Sequence, residues 1–360
     1  MLAVGGVLIA MTLPAAASQA GTVPGAVNSA VASTIPANGD VNPYGVAIVP
    51  TTHGDLVHGD ILVSNFNNAP TAGAPGGEQG RGSTLVEVSP AGQQKLFAHI
   101  PGQVGLTTAL VVLRSGWVIV GSLPTTDGTA TTASSGELIV LDSTGHVRET
   151  LTGHGINGPW DATALDLGSI AEVFVSNVLT GIVGGQPSAT ANGDVVRLLL
   201  DLTGPAPRLI ASTVVADDLA VRTDPAALVV GPTGVALGPD GDLFVADTVN
   251  SRIAWVPDAV FRSTAFDAGL SAATVSADPA LNGPLGLVLA PNGDLLTVNA
   301  GDNNLVELTR TGEVVAVHDL DTTDPPGGAL FGLAVAAGST ANPHAVYYVN
   351  DDTNTLNVVR

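Results

Sequence analysis

Short apolar runs alternate with polar turns along most of this chain. The sharpest example is residues 231–253. Val235 and Leu237 alternate with smaller residues, Pro239-Asp240-Gly241-Asp242 is a turn signal, and Leu243-Phe244-Val245 is a second apolar run. A polar loop through Asn250 then leads to a third run starting at Arg252-Ile253. Gly and Asp in such a turn supply positive φ and local side-chain hydrogen bonds, so the pattern predicts strand, tight turn, strand, loop, strand. The order returns at residues 283–299, and Gly234, Gly286 and Gly332 mark a repeat long enough for four short strands and their turns.

The same template predicts strands elsewhere. A first unit takes residues 42–49, 60–65, 84–88 and 95–98, with a Gly/Pro/Ala-rich loop up to Gly82. A second takes 109–113, 117–122, 137–142 and 147–151; a third takes 157–161, 172–177, 194–200 and 208–211. The fourth is the type stretch. Its outer strand is hard to place because residues 258–277 are loosely patterned, and a helical turn is expected near residues 258–261. The fifth adds 304–308 and 313–317 to the second copy of the motif. The sixth runs 330–335, 345–350 and 355–360 and stops after three strands.

Gly-Pro-x-Gly followed by Pro-Asp/Asn-Gly-Asp-Leu resembles the NHL repeat, a blade of a β-propeller. The resemblance spans roughly residues 42–360 and is sharpest in the fourth and fifth units. It implies an all-β fold, a six-bladed β-propeller of four-stranded antiparallel blades. An unpaired edge in the last blade would face water, so the arm at 21–41, around residues 26–32, is expected to supply its missing outer strand. The chain then divides into a leader at 1–20, the arm at 21–41 and the propeller at 42–360.

Composition narrows the function. The formal charge is −21 with Lys95 the only lysine, a surface that repels nucleic acid and anionic membranes and attracts cations. With no cysteine, thiol nucleophiles, disulfides and thiolate metal sites are excluded. Residues 2–13 are an apolar run too short to span a bilayer, followed by small residues through Ala20 that suit a cleavage site. This predicts export to the envelope or medium, with the mature chain starting near residues 17–21. No later stretch is apolar enough for a transmembrane helix, and a monomer is expected.

Antiparallel first and second strands put the ends of all second strands on one face. Those ends are Asn65, Ser122, Asn177, Asp247, Asn299 and Asn350. Nearby loops add Asn67, Asn68, Asn250, Asp302, Asn303, Asp351 and Asp352. A ring of such oxygens suits a polar ligand or a hard cation such as Ca²⁺. The same residue types also end strands by making Asx turns. Ligand contacts are therefore expected at Asn65, Asn67, Asn177, Asn250, Asn299 and Asn350, and a metal, if bound, at Asp247, Asn177 and Asn299. Asn157-Gly158-Pro159-Trp160 is similar to the glutamate-Gly-Pro-x-Trp motif of gluconolactonases and senescence-marker-protein-like propellers, with Asn in place of the glutamate. That resemblance implies one divalent metal in the channel, with Asn177 and Asp247 as stand-in ligands, and lactone hydrolysis.

Among the seven histidines only His154 precedes a first strand at this face, where Asp161 could orient it as a general base; the other reading is a solvated loop histidine. There is no Gly-x-Ser-x-Gly elbow, and Gly73 to Gly82 does not lead a strand into a helix, so it is a loop or a lid rather than a phosphate loop. Two functions remain: an exported binding propeller for a protein, glycan or small polar ligand, or a divalent-metal-dependent hydrolase or lyase of lactones or small esters.

Overall fold

The structure is a computed structural model describing residues 23, 27–102, 104–179, 190–224, 227–322, 327–336 and 345–360. The expected leader, Ala26 at the start of the expected closing strand, and His344 lie outside the described residues.

Six antiparallel sheets stand around a central channel. Blade one is Val41–Ile48, Ile61–Asn67, Gln79–Val88 and Gln94–His99; blade two is Leu110–Val112, Val118–Ser122, Glu137–Leu141 and Val147–Thr152. Blade four is Pro232–Leu237, Leu243–Asp247, Arg252–Val256 and Thr274–Ser276; blade five is Pro284–Leu289, Leu295–Asn299, Asn304–Leu308 and Val314–Asp319. Blade six is Leu330–Val335, Val346–Asn350 and Thr355–Val359, joined by Asn28–Ser33 from the N-terminal arm. The arm runs antiparallel to the last strand from Asn28 opposite Val359 to Ser33 opposite Thr355.

Blade three departs from the template. Its strands are Pro159–Asp166, Ile170–Asn177, Thr190–Asp201 and a long Arg208–Asp224, to which Leu228–Val230 adds a fifth and the short Phe266–Asp267, running parallel to the long strand, a sixth. The sequence pattern predicts a fourth strand over residues 208–211 only. The strand continues through bulges against Thr190–Asp201 and then pairs with Leu228–Val230. Two other expectations change. The third strand of blade one begins at Gln79, inside the glycine-rich segment. Residues 258–261 form turns rather than helix, and the outer strand of blade four is the short Thr274–Ser276 after a 3₁₀ turn at Ser271–Ala273.

Alternation within each strand explains the packing. Val118 and Val120 face a core shared with blade one (Leu62, Leu85, Phe97), whereas Ile119 faces a core shared with blade three (Val173, Val175, Val196). Both faces of a blade are covered, so its second strand reads as a continuous apolar run. One such core lies between each neighbouring pair, including blades six and one, where Tyr347, Val349 and Val358 meet Ile61, Val63 and Val86.

The arm adds more than a ladder. Asn28 Nδ2 donates to the Leu320 carbonyl and its Oδ1 accepts from the Tyr348 hydroxyl, each at 2.8 Å; Val23 is buried among Leu330, Leu333 and Tyr348. Most of the strand's own side chains are exposed, so its contribution comes from the ladder, these bonds and Val23. Deleting residues 21–33 is expected to cost about 2–4 kcal/mol and to expose a sheet edge. Chemical denaturation reads this directly, and an unchanged midpoint would reduce the arm to a linker.

Candidate functional site

The inner strands approach one another closely around the channel. A Cβ on Gly45 would lie 2.7 Å from the Thr108 carbonyl oxygen of blade two, and one on Gly286 would lie 2.5 Å from the Phe331 carbonyl oxygen of blade six. Gly234 is packed in the same way against Leu285 and Leu287, and Gly332 against Tyr44. The strand registers place Ala109 and Asp161 at the corresponding position of blades two and three. In five of the six blades the first strand also breaks register here, for example between Pro232 and Val235.

The residue just before this position lines the mouth of the channel. Tyr44, Thr108, Trp160, Thr233, Leu285 and Phe331 form that ring, and all six line one or both of two cavities sharing Trp160, Ala227, Phe331 and Asp351. The larger cavity is about 490 Å³ and is also walled by Val229, Thr248, Ser251, Asn282 and Ala300. Aromatic side chains pack against one another along the two cavities. Tyr44 stacks on Phe331 at 4.9 Å and meets Trp160 edge-on at 5.7 Å, while Phe66 lies edge-on to both Tyr44 and Phe331 at 6.4 Å. The Trp160 indole N–H donates to the Tyr44 hydroxyl at 2.6 Å, so the buried polar ends satisfy each other. Burial and the nearby charge of Asp161 hold the Tyr44 hydroxyl far above the usual phenol range.

The residues ending the second strands have another set of contacts. Each blade begins with a crossover from the preceding blade, and five of these residues bond to it. Asn65 Nδ2 donates to Thr34 O, Asn177 Nδ2 to Gly155 O, Asn299 Nδ2 to Ala280 O and Asn350 Nδ2 to Asp321 Oδ2, at 2.6–2.9 Å. The Ser122 hydroxyl donates to Val104 O. Asn177 Oδ1 also accepts from the Asn157 amide, and Asn350 Oδ1 from Thr353. Asn67 is buried and donates to Gly76 O; Asn250 is exposed and donates to Asp247 Oδ2. None of Asn65, Asn67, Asn177, Asp247, Asn250, Asn299 or Asn350 lines the two mouth cavities, whereas Asp351 lines both.

Asp247 differs from the others. It is fully buried and ion-paired through Oδ2 with Arg252 Nε at 2.7 Å, and Arg252 in turn donates to Ala268 O, Leu270 O and Thr274 Oγ1. The pair ties the second and third strands of blade four to the long loop before its outer strand. As a donor set for a divalent ion, Asp247, Asn177 and Asn299 do not fit in this arrangement. Arg252 neutralises the one carboxylate and Asn177 Oδ1 is occupied. Among the described residues no three His, Asp or Glu side chains cluster closely enough to share an ion.

Asp161 and His154 occupy different surroundings. His154 is exposed on the crossover into blade three, in a left-handed conformation with φ 55°. Asp161 lines a separate channel cavity of about 350 Å³ among Val46, Ile48, Leu237 and Leu289. Its carboxylate accepts from the amides of Ala162 (2.8 Å) and Val235 (3.2 Å), which bridges blades three and four. Burial pushes its pKa up to about 7, against the opposing effect of those two amides.

The sequence pattern marks the mouth ring only in part: Thr233 and Leu285 are the x of Gly-Pro-x-Gly, Tyr44 and Trp160 follow a proline in variants of it, and Thr108 and Phe331 have no such proline. Its members share a backbone position and no common chemistry.

The family pattern for the NHL repeat matches residues 230–256, the first three strands of blade four. Across the whole chain, a gluconolactonase from Xanthomonas campestris is similar in structure, at 12% identity and TM-score 0.57 over 94% of this chain and 90% of that one. A luciferin-regenerating enzyme is similar at 10% identity and TM-score 0.54, over 93% and 95% of the two chains. A calcium-binding protein, regucalcin from Agrobacterium tumefaciens, is similar at 14% identity and TM-score 0.51, over 91% and 92%. No curated protein matches the sequence. The chain is a six-bladed β-propeller carrying an NHL repeat.

Replacing Asp247 with Ala would leave the Arg252 guanidinium buried without its counter-charge, so a loss of about 3–5 kcal/mol is expected. Urea unfolding measures it. A loss below about 1 kcal/mol would show that the pair does not hold blade four together and would favour a ligand role for Asp247.

Proposed function

We propose that this protein is an exported binding propeller that holds a small ligand at the channel mouth. The observation that carries this reading is the 490 Å³ cavity on the face where crossovers and second-strand loops meet. Its size falls within the usual range for small-molecule sites, roughly 300–1,000 Å³. It pairs an apolar side, Trp160, Val229, Leu285 and Phe331, with polar groups from Thr248, Ser251, Asn282 and Asp351. Trp160 and Phe331, each packed against Tyr44, give the cavity a rigid aromatic wall. The composition of the first twenty residues supports export. The intact mass of protein from the native cell envelope or medium should correspond to a start near residues 17–21, and a full-length cytoplasmic product would contradict this.

The alternative is a divalent-metal-dependent hydrolase or lyase of lactones or small esters. It draws on the fold shared with gluconolactonases and on two buried oxygens, Asp247 Oδ1 and Asn299 Oδ1, that have no hydrogen-bond partner among the described residues. An ion there would have to compete with Arg252 for Asp247.

A thermal-shift screen of sugars, lactones, amino acids, organic cations and organic anions, run with and without Ca²⁺, separates the readings. Val249 lines the cavity from a surface turn, so Val249→Trp should fill the space with little effect on the unliganded protein. Ligands should raise the melting temperature of the wild type and not of Val249→Trp. Ligands that stabilise both equally would place the site elsewhere, and Ca²⁺-dependent lactone turnover would support the alternative.

A further inference from the structure

We propose that the mouth cavity selects a small organic cation, an ammonium or guanidinium, with the Asp351 carboxylate as its counter-ion and Trp160 and Phe331 beside it. The inference rests on the mouth being the binding site and names the ligand class. Asp351 follows the second strand of blade six and lines both cavities. Its Oδ2 accepts a long hydrogen bond, 3.3 Å, from Asn42 Nδ2. Its Oδ1 is buried and has no hydrogen-bond partner among the described residues. A buried carboxylate oxygen left in that condition is costly, and a bound cation would relieve the cost.

The remaining charges on the wall do not compete. Arg222 and Asp224 also line the larger cavity, but they pair with each other at 2.5 Å and together carry no net charge. Among the described residues lining the cavity, Asp351 is thus the acid with no opposite charge beside it. Trp160 and Phe331 add the negative faces of their rings, which attract cations within about 6 Å. A metal ion suits this wall poorly: Ca²⁺ takes 6–8 oxygen ligands, whereas Val229, Leu285, Ala300 and Phe331 offer none from their side chains. An organic cation uses both halves of the cavity. The −21 charge of the chain would also draw cations toward the mouth and disfavour anions.

The protonation of Asp351 gives the proposal a signature. Burial, then the neighbouring charge of Asp352, push its pKa up to about 8, against the opposing effect of the Asp351 and Asp352 amides. Among the described residues, Asn42 bonds to it, and the other titratable groups lining the two cavities are Tyr44, Arg222 and Asp224. Below pH 8 a cation must therefore displace a proton, and its affinity should rise with pH and level off above 8. Between pH 6.5 and 8.5 the ionised fraction of a group titrating near 8 rises about 25-fold.

The test is calorimetric titration of the mature protein with choline and benzylamine, each against a neutral counterpart of similar shape, 3,3-dimethylbutan-1-ol and benzyl alcohol. At least one cation should bind about tenfold more tightly than its counterpart, with affinity rising between pH 6.5 and 8.5. Asp351→Asn should abolish both the preference and the pH dependence, and Asp352→Asn, which removes the same charge next door, should keep the preference. The wild-type pH profile tests the claim even if Asp351→Asn folds poorly. Equal binding of cation and neutral counterpart, or a preference that survives Asp351→Asn, would overturn it. If only neutral or anionic compounds bind in a way that Val249→Trp blocks, the cation inference fails and the mouth reading stands. If nothing binds in that way, both fail.

Discussion

The close approach of six inner strands around one channel is the constraint on which the rest of this propeller depends. Where a Cβ on Gly45 or Gly286 would sit within 2.7 Å of the neighbouring blade's backbone, only a very small residue or a special arrangement is accommodated. Four blades use glycine and blade two uses alanine. Blade three uses Asp161, whose carboxylate bonds to the Val235 amide across the blade boundary. Because the strands break register at this point, the preceding side chains gather at the mouth and the following ones line the lower channel. One backbone feature therefore separates the cavity at the mouth, with Trp160 and Phe331 on its wall, from a second cavity that Asp161 lines.

The mouth also has to be kept open and rigid. Each crossover brings backbone carbonyls over the end of a blade, where they need donors. Asn65, Ser122, Asn177 and Asn299 supply them, and Asn350 reaches a crossover carboxylate. Blade four uses the buried Asp247–Arg252 pair to hold a different loop. These contacts keep the crossovers back from the channel axis, and the space they leave is the cavity in which Asp351 lies.

Much of the architecture was legible because its causes are local. Turn residues at fixed offsets and runs apolar on both faces were enough to count six blades. The missing edge strand pointed to the arm, which pairs from Asn28 to Ser33. The long strand of blade three was not legible, since Asp217 and Asp218 break the apolar run and only pairing with Thr190–Asp201 carries the strand through. The site was legible only in part, for an instructive reason. Five of the six residues ending second strands perform one task, hydrogen bonding to a crossover, so a search for repeated chemistry finds them first. Tyr44, Thr108, Trp160, Thr233, Leu285 and Phe331 differ because each contributes a different part of one asymmetric cavity. Asp351 stood among several acidic loop residues, and its isolation inside the cavity depends on the three-dimensional fold.

A crystal structure of the complex with the tightest ligand found would test the placement of the binding site most directly. The ligand is expected in contact with Trp160, Phe331 and Asp351, with the amide hydrogen bonds of Asn65, Asn177 and Asn299 to their crossovers intact. Ligand held instead by Asn65, Asn177, Asp247 or Asn299, with those crossover bonds broken, would contradict the account.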